Sequence, residues 1–301
     1  MPDAAIATRT LAAATRWEHP IEPGLTLRGG HLPGPGPLLH FLPGTAFGCR
    51  LYAPFLEPLA ARQALFWQDL HGHGDADAGE RPFAGWRQSM RWAFAVMDAH
   101  GIGTRTGPIV GLGHSYGGCL TLMMAAARPA YFSRLILTDP FMVPPAQERP
   151  YRQLIAAVVE RTRRRNPVFA DAGAVRRYLA GRLMFQNFAP AAVEAFINDN
   201  LRRQADGQLR LRCEPHIEAG VYDDVVDGLW PAVDALTVPT LILSGDRTVP
   251  FFAAGHAEAV QRNGQIRRRT LAGGHNYMLE APSVAAAAVA AALADSAEQA
   301  A

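Results

Sequence analysis

The chain has 301 residues, is 49% hydrophobic and carries a formal net charge of +2, which fits one large α/β domain with room for an insertion and gives no bulk attraction for nucleic acid or an anionic membrane. Its 29 Lys/Arg positions are all arginine, and the absence of lysine removes Schiff-base, pyridoxal, phosphate-loop and Ser-Lys chemistry. Cys49, Cys119 and Cys213 are too scattered for a zinc site or a disulfide framework, no signal-peptide pattern opens the chain, and no apolar run reaches the length of a membrane span; a cytoplasmic protein is expected.

In chain order, residues 1–30 read as peripheral, Ala-rich and then polar. "HLPGPGP" (31–37) is a turn-rich loop, followed by "LLHFLPG", a short strand closing in a turn. "CRLYAPFLEPLAAR" is helical in part, interrupted by Pro54 and Pro58. "ALFWQDL" (64–70) is the next strand and "HGHGDADAGE" the loop after it. Residues 85–101 have the apolar spacing of an amphipathic helix with a glycine stop. "GPIVGLG" is a buried strand, and "GGCLTLMMAAARP" a helix ending near Pro129. "RLILTDP" (134–140), "PTLILSGD" (239–246) and "QIRRRTLAGGH" (265–275) supply three more strands, and the tail from Pro282 another helix. Residues 141–235 hold several helical patterns and few strand signals. Strands alternating with helices predict a mainly parallel sheet covered on both faces. Its core comprises residues 1–140 and 236–301, with a helical cap, 141–235, inserted after the strand ending near Asp139.

The chemistry gathers around "GLGHSYGGCL" (111–120). Glycine stands where a backbone turns sharply or where another segment comes too close for a Cβ. A strand that becomes a helix at once presents the residue at its tip, here Ser115 in Gly113-His114-Ser115-Tyr116-Gly117, the G-x-S-x-G elbow. A serine hydroxyl needs a base. Of ten histidines, His275 has the right setting, a glycine-flanked loop just past the last strand, where sites collect at the carboxyl edge of a parallel sheet. His114 adjoins the serine but is splayed away by the turn, and His40 lies within a strand. His71 and His73 form an H-x-H pair that could serve a metal, yet no third ligand accompanies them, and a glycine loop is the simpler account. The base needs an orienting carboxylate, and two aspartates end strands suitably: Asp139 after "RLILT" and Asp246 after "TLILSG". An oxyanion hole would use the N–H of Tyr116 and one from "LPGTAF", where Thr45 follows Gly44. "RTRRR" (161–165) reads as a solvated helix end that could also meet an anionic substrate.

Taken together, "LLHFLPGTAF", "DLHGHGD", "GHSYGG", "LTDP", a cap, "LILSGDRTVP" and "AGGHNYMLEAP" follow one another, over residues 36–283, in the order of the α/β-hydrolase family, which the chain resembles. The resemblance implies an eight-stranded, mostly parallel sheet and a Ser-His-acid triad that uses no cofactor and no metal. Two departures stand out. The family usually has His-Gly in the oxyanion loop, where this chain has Pro43-Gly44. The family commonly has G-x-x-D after its seventh strand, and here that last position is Thr248. The acid is then Asp139, as in some lipase-like members, with Asp246 the alternative. A serine at the elbow separates the chain from relatives resembling epoxide hydrolases, which carry an aspartate there. The expectation is an esterase-like serine hydrolase acting on a small or medium ester; the rivals are a carbon–carbon bond hydrolase of the same fold and a non-catalytic ligand-binding protein.

Overall fold

The computed structural model describes residues 10–79, 81–224 and 226–294, and within them eight strands share one sheet. Strands β1 (Thr15–Glu22) and β2 (Leu25–Leu32) form an antiparallel hairpin. β3 (Leu38–Leu42) leads through α1 (Ala53–Ala60) to β4 (Ala64–Gln68). Then come α2 (Trp86–His100), β5 (Ile109–His114), α3 (Ser115–Ala127) and β6 (Phe132–Thr138). After β6 the chain builds α4 (Glu148–Arg163), β7 (Val168–Phe169), α5 (Ala172–Ala180), α6 (Pro190–Asp199), β8 (Leu201–Arg203), β9 (Leu209–Leu211), α7 (Pro215–Asp223) and α8 (Leu229–Ala235). It returns to the sheet through β10 (Thr240–Gly245), α9 (Pro250–Arg262), β11 (Ile266–Leu271), α10 (Tyr277–Glu280) and α11 (Pro282–Ala294). The sheet order is β1-β2-β4-β3-β5-β6-β10-β11, antiparallel through β1, β2 and β4 and parallel from β4 onward.

The mostly parallel α/β sheet with helices on both faces is therefore present. Strand alternation sorts the core into two halves. Phe66, Ile109, Leu135 and Leu137 point to the face covered by α2, α3 and α9, whereas Leu65, Trp67, Val110, Leu112 and Ile136 point to the face covered by α1 and α11. On β5 the positions facing α3 are Ile109, Gly111 and Gly113. A Cβ on Gly111 would meet Thr121 of α3 at 2.6 Å, and one on Gly113 would meet the Gly117 carbonyl at 2.6 Å. These glycines are spaces for a helix lying against its own strand.

Two readings of the sequence need correction. Residues 15–32, read as a peripheral stretch running into a loop, are the hairpin that starts the sheet. Gly29 and Gly30 hide it, because glycine disfavours strands. Both are strand glycines for a packing reason: a Cβ on Gly29 would meet the Trp17 ring at 2.3 Å, and one on Gly30 the Trp67 ring at 2.3 Å. The second concerns residues 141–235, which are helical but also carry a three-stranded antiparallel sheet in the order β7-β9-β8, of strands two and three residues long, too short to show a period. Residues 1–9 and 295–301 of the two terminal readings lie outside the described residues. Among the described residues no helix is long and apolar enough to cross a membrane.

Candidate active site

Register brings the site together. His114 of β5 pairs with Thr138 of β6, and Thr138 with Leu243 of β10. The next residues, Ser115 and Asp139, therefore leave the carboxyl edge side by side. β11 runs parallel on the far side of β10, with Gly245 opposite Leu271, and four residues further on His275 folds back over that edge.

At the elbow, β5 becomes α3 with no intervening residue, and Ser115 takes φ 51°, a left-handed conformation that costs a non-glycine residue about 1–3 kcal/mol. The turn holds because Gly117 lies under the β3 loop: a Cβ there would sit 2.4 Å from the Leu42 carbonyl oxygen, while the Gly117 N–H donates to the Pro43 carbonyl at 3.0 Å. Ser115 thus stands at the positive end of a 13-residue helix.

His275 Nε2 lies 2.9 Å from Ser115 Oγ, and His275 Nδ1 lies 3.0 Å from Asp139 Oδ1. Asp139 is fully buried and has φ 48°. Its Oδ2 accepts the Gly245 N–H at 2.7 Å, and its Oδ1 also accepts the Thr248 hydroxyl at 2.5 Å. Burial pushes this carboxyl up, but the His275 hydrogen bond, the positive potential of His275 and His256, and the Thr248 hydroxyl outweigh it and hold Asp139 below the ordinary carboxylate range. It stays ionised, so the imidazole N–H points at Asp139 and the bare Nε2 at the serine. Asp246 lies elsewhere: it is exposed, caps the turn by accepting the Gly273 N–H at 2.8 Å, and pairs with Arg247 at 3.1 Å.

Thr45 and Ser115 line one cavity of about 290 Å³, walled by apolar side chains that include Phe47, Phe141, Ile155 and Phe252. The Thr45 N–H has no acceptor among the described residues. Tyr116 is the second residue of α3, so its N–H has no partner within the helix. Its side chain turns away, edge-on to Trp86 at 4.6 Å, leaving only its backbone for the site.

His71, His73 and His40 are held by local carbonyls or neighbours. His71 Nε2 bonds the Ala78 carbonyl at 2.8 Å and His73 Nδ1 the His71 carbonyl at 2.8 Å, and among the described residues no three His, Cys, Asp or Glu side chains gather as a metal site would need. His40 Nε2 meets Gln68 inside the sheet.

His114 does more than pack. The Gly44 N–H donates to the Tyr52 oxygen at 3.1 Å, the Tyr52 O–H to His114 Nδ1 at 2.7 Å, and the His114 Nε2–H to the His275 carbonyl at 3.1 Å. This chain ties the loop after β3, the elbow and the loop of His275 together, and it requires a neutral His114. Burial and the nearby His275 push its pKa down to about 3.

The roles of three further residues were not read from the sequence. Thr248 occupies the position of the family's ordinary acid, and its hydroxyl bonds Asp139; the G-x-x-T departure was the signal. His256 Nε2 bonds the Pro140 carbonyl at 2.8 Å, just past Asp139, and Asn200, at the end of α6, bonds the loop after Thr45; nothing in the sequence marks either.

A serine elbow after one central strand, an acid after the next and a histidine beyond the last define an α/β hydrolase, and the chain belongs to that family: a model of the alpha/beta hydrolase family matches residues 39–290. Among individual proteins it is similar to the pimeloyl-[acyl-carrier protein] methyl ester esterase of Xylella fastidiosa strain 9a5c, 26% identical over 246 residues, which are 80% of this chain and 88% of that one. Over 124 residues, 41% of each chain, it is 27% identical to the monoglyceride lipase of Mus musculus. Of solved structures, E-2-(acetamidomethylene)succinate hydrolase superimposes with a TM-score of 0.77 at 22% identity, covering 92% of this chain and 97% of that one. An esterase of M. tuberculosis does so with a TM-score of 0.71 at 20% identity, covering 93% and 92%. The last two similarities are of fold.

Proposed function

We propose that the protein is a serine esterase acting, without cofactor, on carboxylic esters with a small or medium apolar acyl or alcohol part. The unbroken line Ser115 Oγ, His275 Nε2, His275 Nδ1, Asp139 Oδ1, with spacings of 2.9 and 3.0 Å, carries this reading. His275 takes the proton as Ser115 Oγ attacks the ester carbonyl, and the carbonyl π electrons move onto oxygen. The Tyr116 and Thr45 amides hold that oxyanion, a contribution of about 3 kcal/mol per donor to the barrier. Collapse expels the alcohol, which leaves with the proton from His275, and water, deprotonated by His275, then releases the acid from Ser115. Asp139 fixes the tautomer and stabilises the transient imidazolium. Residues 141–235 act as the cap, since Tyr151, Ile155 and Met184 from this stretch close the apolar cavity over Ser115.

The ester hydrolysis named for the Xylella relative and the tight apolar walls favour an ester over a substrate rich in polar groups. The test is labelling with a fluorophosphonate and hydrolysis of 4-nitrophenyl butyrate. Both are expected in the native protein, with the adduct mapped to Ser115, and both lost in Ser115→Ala. An unlabelled Ser115 in folded protein would leave a ligand-binding scaffold as the better account.

A further inference from the structure

Beside the Ser115 cavity opens a second, wider one of about 770 Å³. The two share lining residues Val158, Met184, Phe185, Glu218 and Tyr222, so they adjoin, and we call the outer space the vestibule. Its chemistry is different, because Arg161, Arg164, Arg165 and Arg182 line it. Arg165 is already neutralised by the buried carboxylate of Glu218. The other three have no carboxylate within 4.0 Å among the described residues: Arg164 reaches only the Glu160 carbonyl of its own helix, at 3.4 Å, and Arg182 lies 4.9 Å over the Tyr178 ring. Two carboxylates on the helices beside the vestibule, Glu160 and Asp223, are both engaged by Arg163. The rim is also apolar to an unusual degree. Five large hydrophobic residues are exposed among the described residues, and three of them, Leu154, Leu183 and Met184, border these two cavities.

Single exposed arginines mean little, and an exposed ion pair is worth at most about 1 kcal/mol. Three unpaired guanidinium groups around one concavity are another matter, since low-dielectric walls concentrate their field and their forks match planar or tetrahedral oxyanions. Solvent-facing leucine and methionine beside them ask for a ligand that is greasy at one end and charged at the other.

We propose that the vestibule is a specificity subsite for the anionic end, carboxylate or phosphate, of an amphiphilic substrate whose apolar arm fills the inner cavity and brings its ester to Ser115. This rests on the esterase reading of Ser115. Selectivity then comes from two places: length and shape from the apolar cavity, charge from Arg161, Arg164 and Arg182.

The test is calorimetric binding of octanoate, octyl phosphate and 1-octanol to the Ser115→Ala protein, which needs no turnover. At least one anion is expected to bind about tenfold or more tightly than the alcohol, with the contrast shrinking as salt rises from about 0.01 to 1 M. If octanoate leads, the subsite is built for a carboxylate; if octyl phosphate leads, for a phosphate. In a background that also carries R161E, R164E and R182E the contrast is expected to vanish, and R161Q with R164Q provides a milder version should the reversal unfold the chain. Equal binding of the three amphiphiles, or a contrast that survives loss of the arginine charges, overturns the proposal. Because serine labelling is read separately on native protein, failure of the esterase reading and failure of the vestibule are told apart.

Discussion

Each oxygen of Asp139 is committed, and this decides what an amide in its place would do. Oδ2 takes the Gly245 N–H, whereas Oδ1 takes both His275 Nδ1 and the Thr248 hydroxyl. In Asp139→Asn the backbone donor of Gly245 demands the remaining oxygen, so the NH₂ must turn to His275. That holds the imidazole in the tautomer with its proton on Nε2, facing Ser115, where it cannot act as a base. The expected loss of kcat is about 10⁴-fold with the fold intact. Asp246→Asn keeps an acceptor for Gly273 and should change kcat by about twofold or less. Steady-state kinetics on 4-nitrophenyl butyrate checks both, and the opposite ranking would move the acid to Asp246. Ser115 and His275 were legible in the sequence because their marks are local, glycines at fixed offsets and a loop past the last strand. Which aspartate meets His275 was not, since two aspartates end neighbouring strands and only the position of Thr248 separated them. His256 and Tyr52 act on residues 116 and 62 positions away, and no local pattern records such a bond.

At the scale of elements, six of the eight strands of the large sheet were readable in the sequence, and the eight-residue β1 and β2 were not. What the sequence could not show is how the insertion after β6 grips the core. Asn200, at the end of α6, is buried, and its amide spans the loop that follows Thr45: Oδ1 accepts the Gly48 N–H at 2.9 Å, and Nδ2 donates to the Ala46 carbonyl at 3.1 Å. Ala46 sits at φ 68°, a conformation that relaxes unless its neighbours hold it. From the other side Asp69, at the end of β4, accepts the Cys49 N–H at 2.7 Å. One strand end and one inserted helix thus fix the loop carrying the proposed oxyanion donor, and Asn200 acts as a positioning residue. In Asn200→Asp the Gly48 bond can persist, but a carboxylate oxygen then faces the Ala46 carbonyl. The expected result is a fall in kcat of about tenfold to a hundredfold with KM little changed, below the full loss of one donor. A trifluoromethyl ketone, which forms an oxyanion on Ser115, should weaken by the same factor, whereas the matching methyl alcohol should bind as before. A residue that merely supports the fold would weaken both inhibitors together, and that outcome would remove Asn200 from the positioning role.

For the whole molecule, the interior sets a pH limit. His40, His73 and His114 are buried, and desolvation lowers them from 6.5 to about 3, about 4 and about 3. Below pH 6.5 the unfolded chain takes up protons at these positions that the folded chain refuses. The unfolded state then binds more protons, so stability rises with pH through this window and falls on acidification. From pH 7.5 to 5.5 the three together withdraw about 4 kcal/mol, a large share of the 5–15 kcal/mol typical of a domain. Asp139 does not contribute there: its depressed carboxyl stabilises the fold above the ordinary aspartate range, and that stabilisation is lost only as pH falls through its folded value. Asp69 and Asp199, raised chiefly by burial, work in the opposite sense and offset part of the loss at the acidic end. Urea midpoints at pH 7.5 and 5.5 measure the sum, and a midpoint that does not fall between them would show that the buried imidazoles take up protons in place. His40 separates stability from catalysis, because it lies inside the sheet, bonded to Gln68, away from Ser115. His40→Leu should remove its own share of the pH slope, about 1.4 kcal/mol between pH 7.5 and 5.5, even if it lowers stability at both pH values. His114 cannot be used in this way, since its neutral ring, 5.0 Å from that of His275, also keeps a second positive charge away from the imidazolium that the proposed reaction must form.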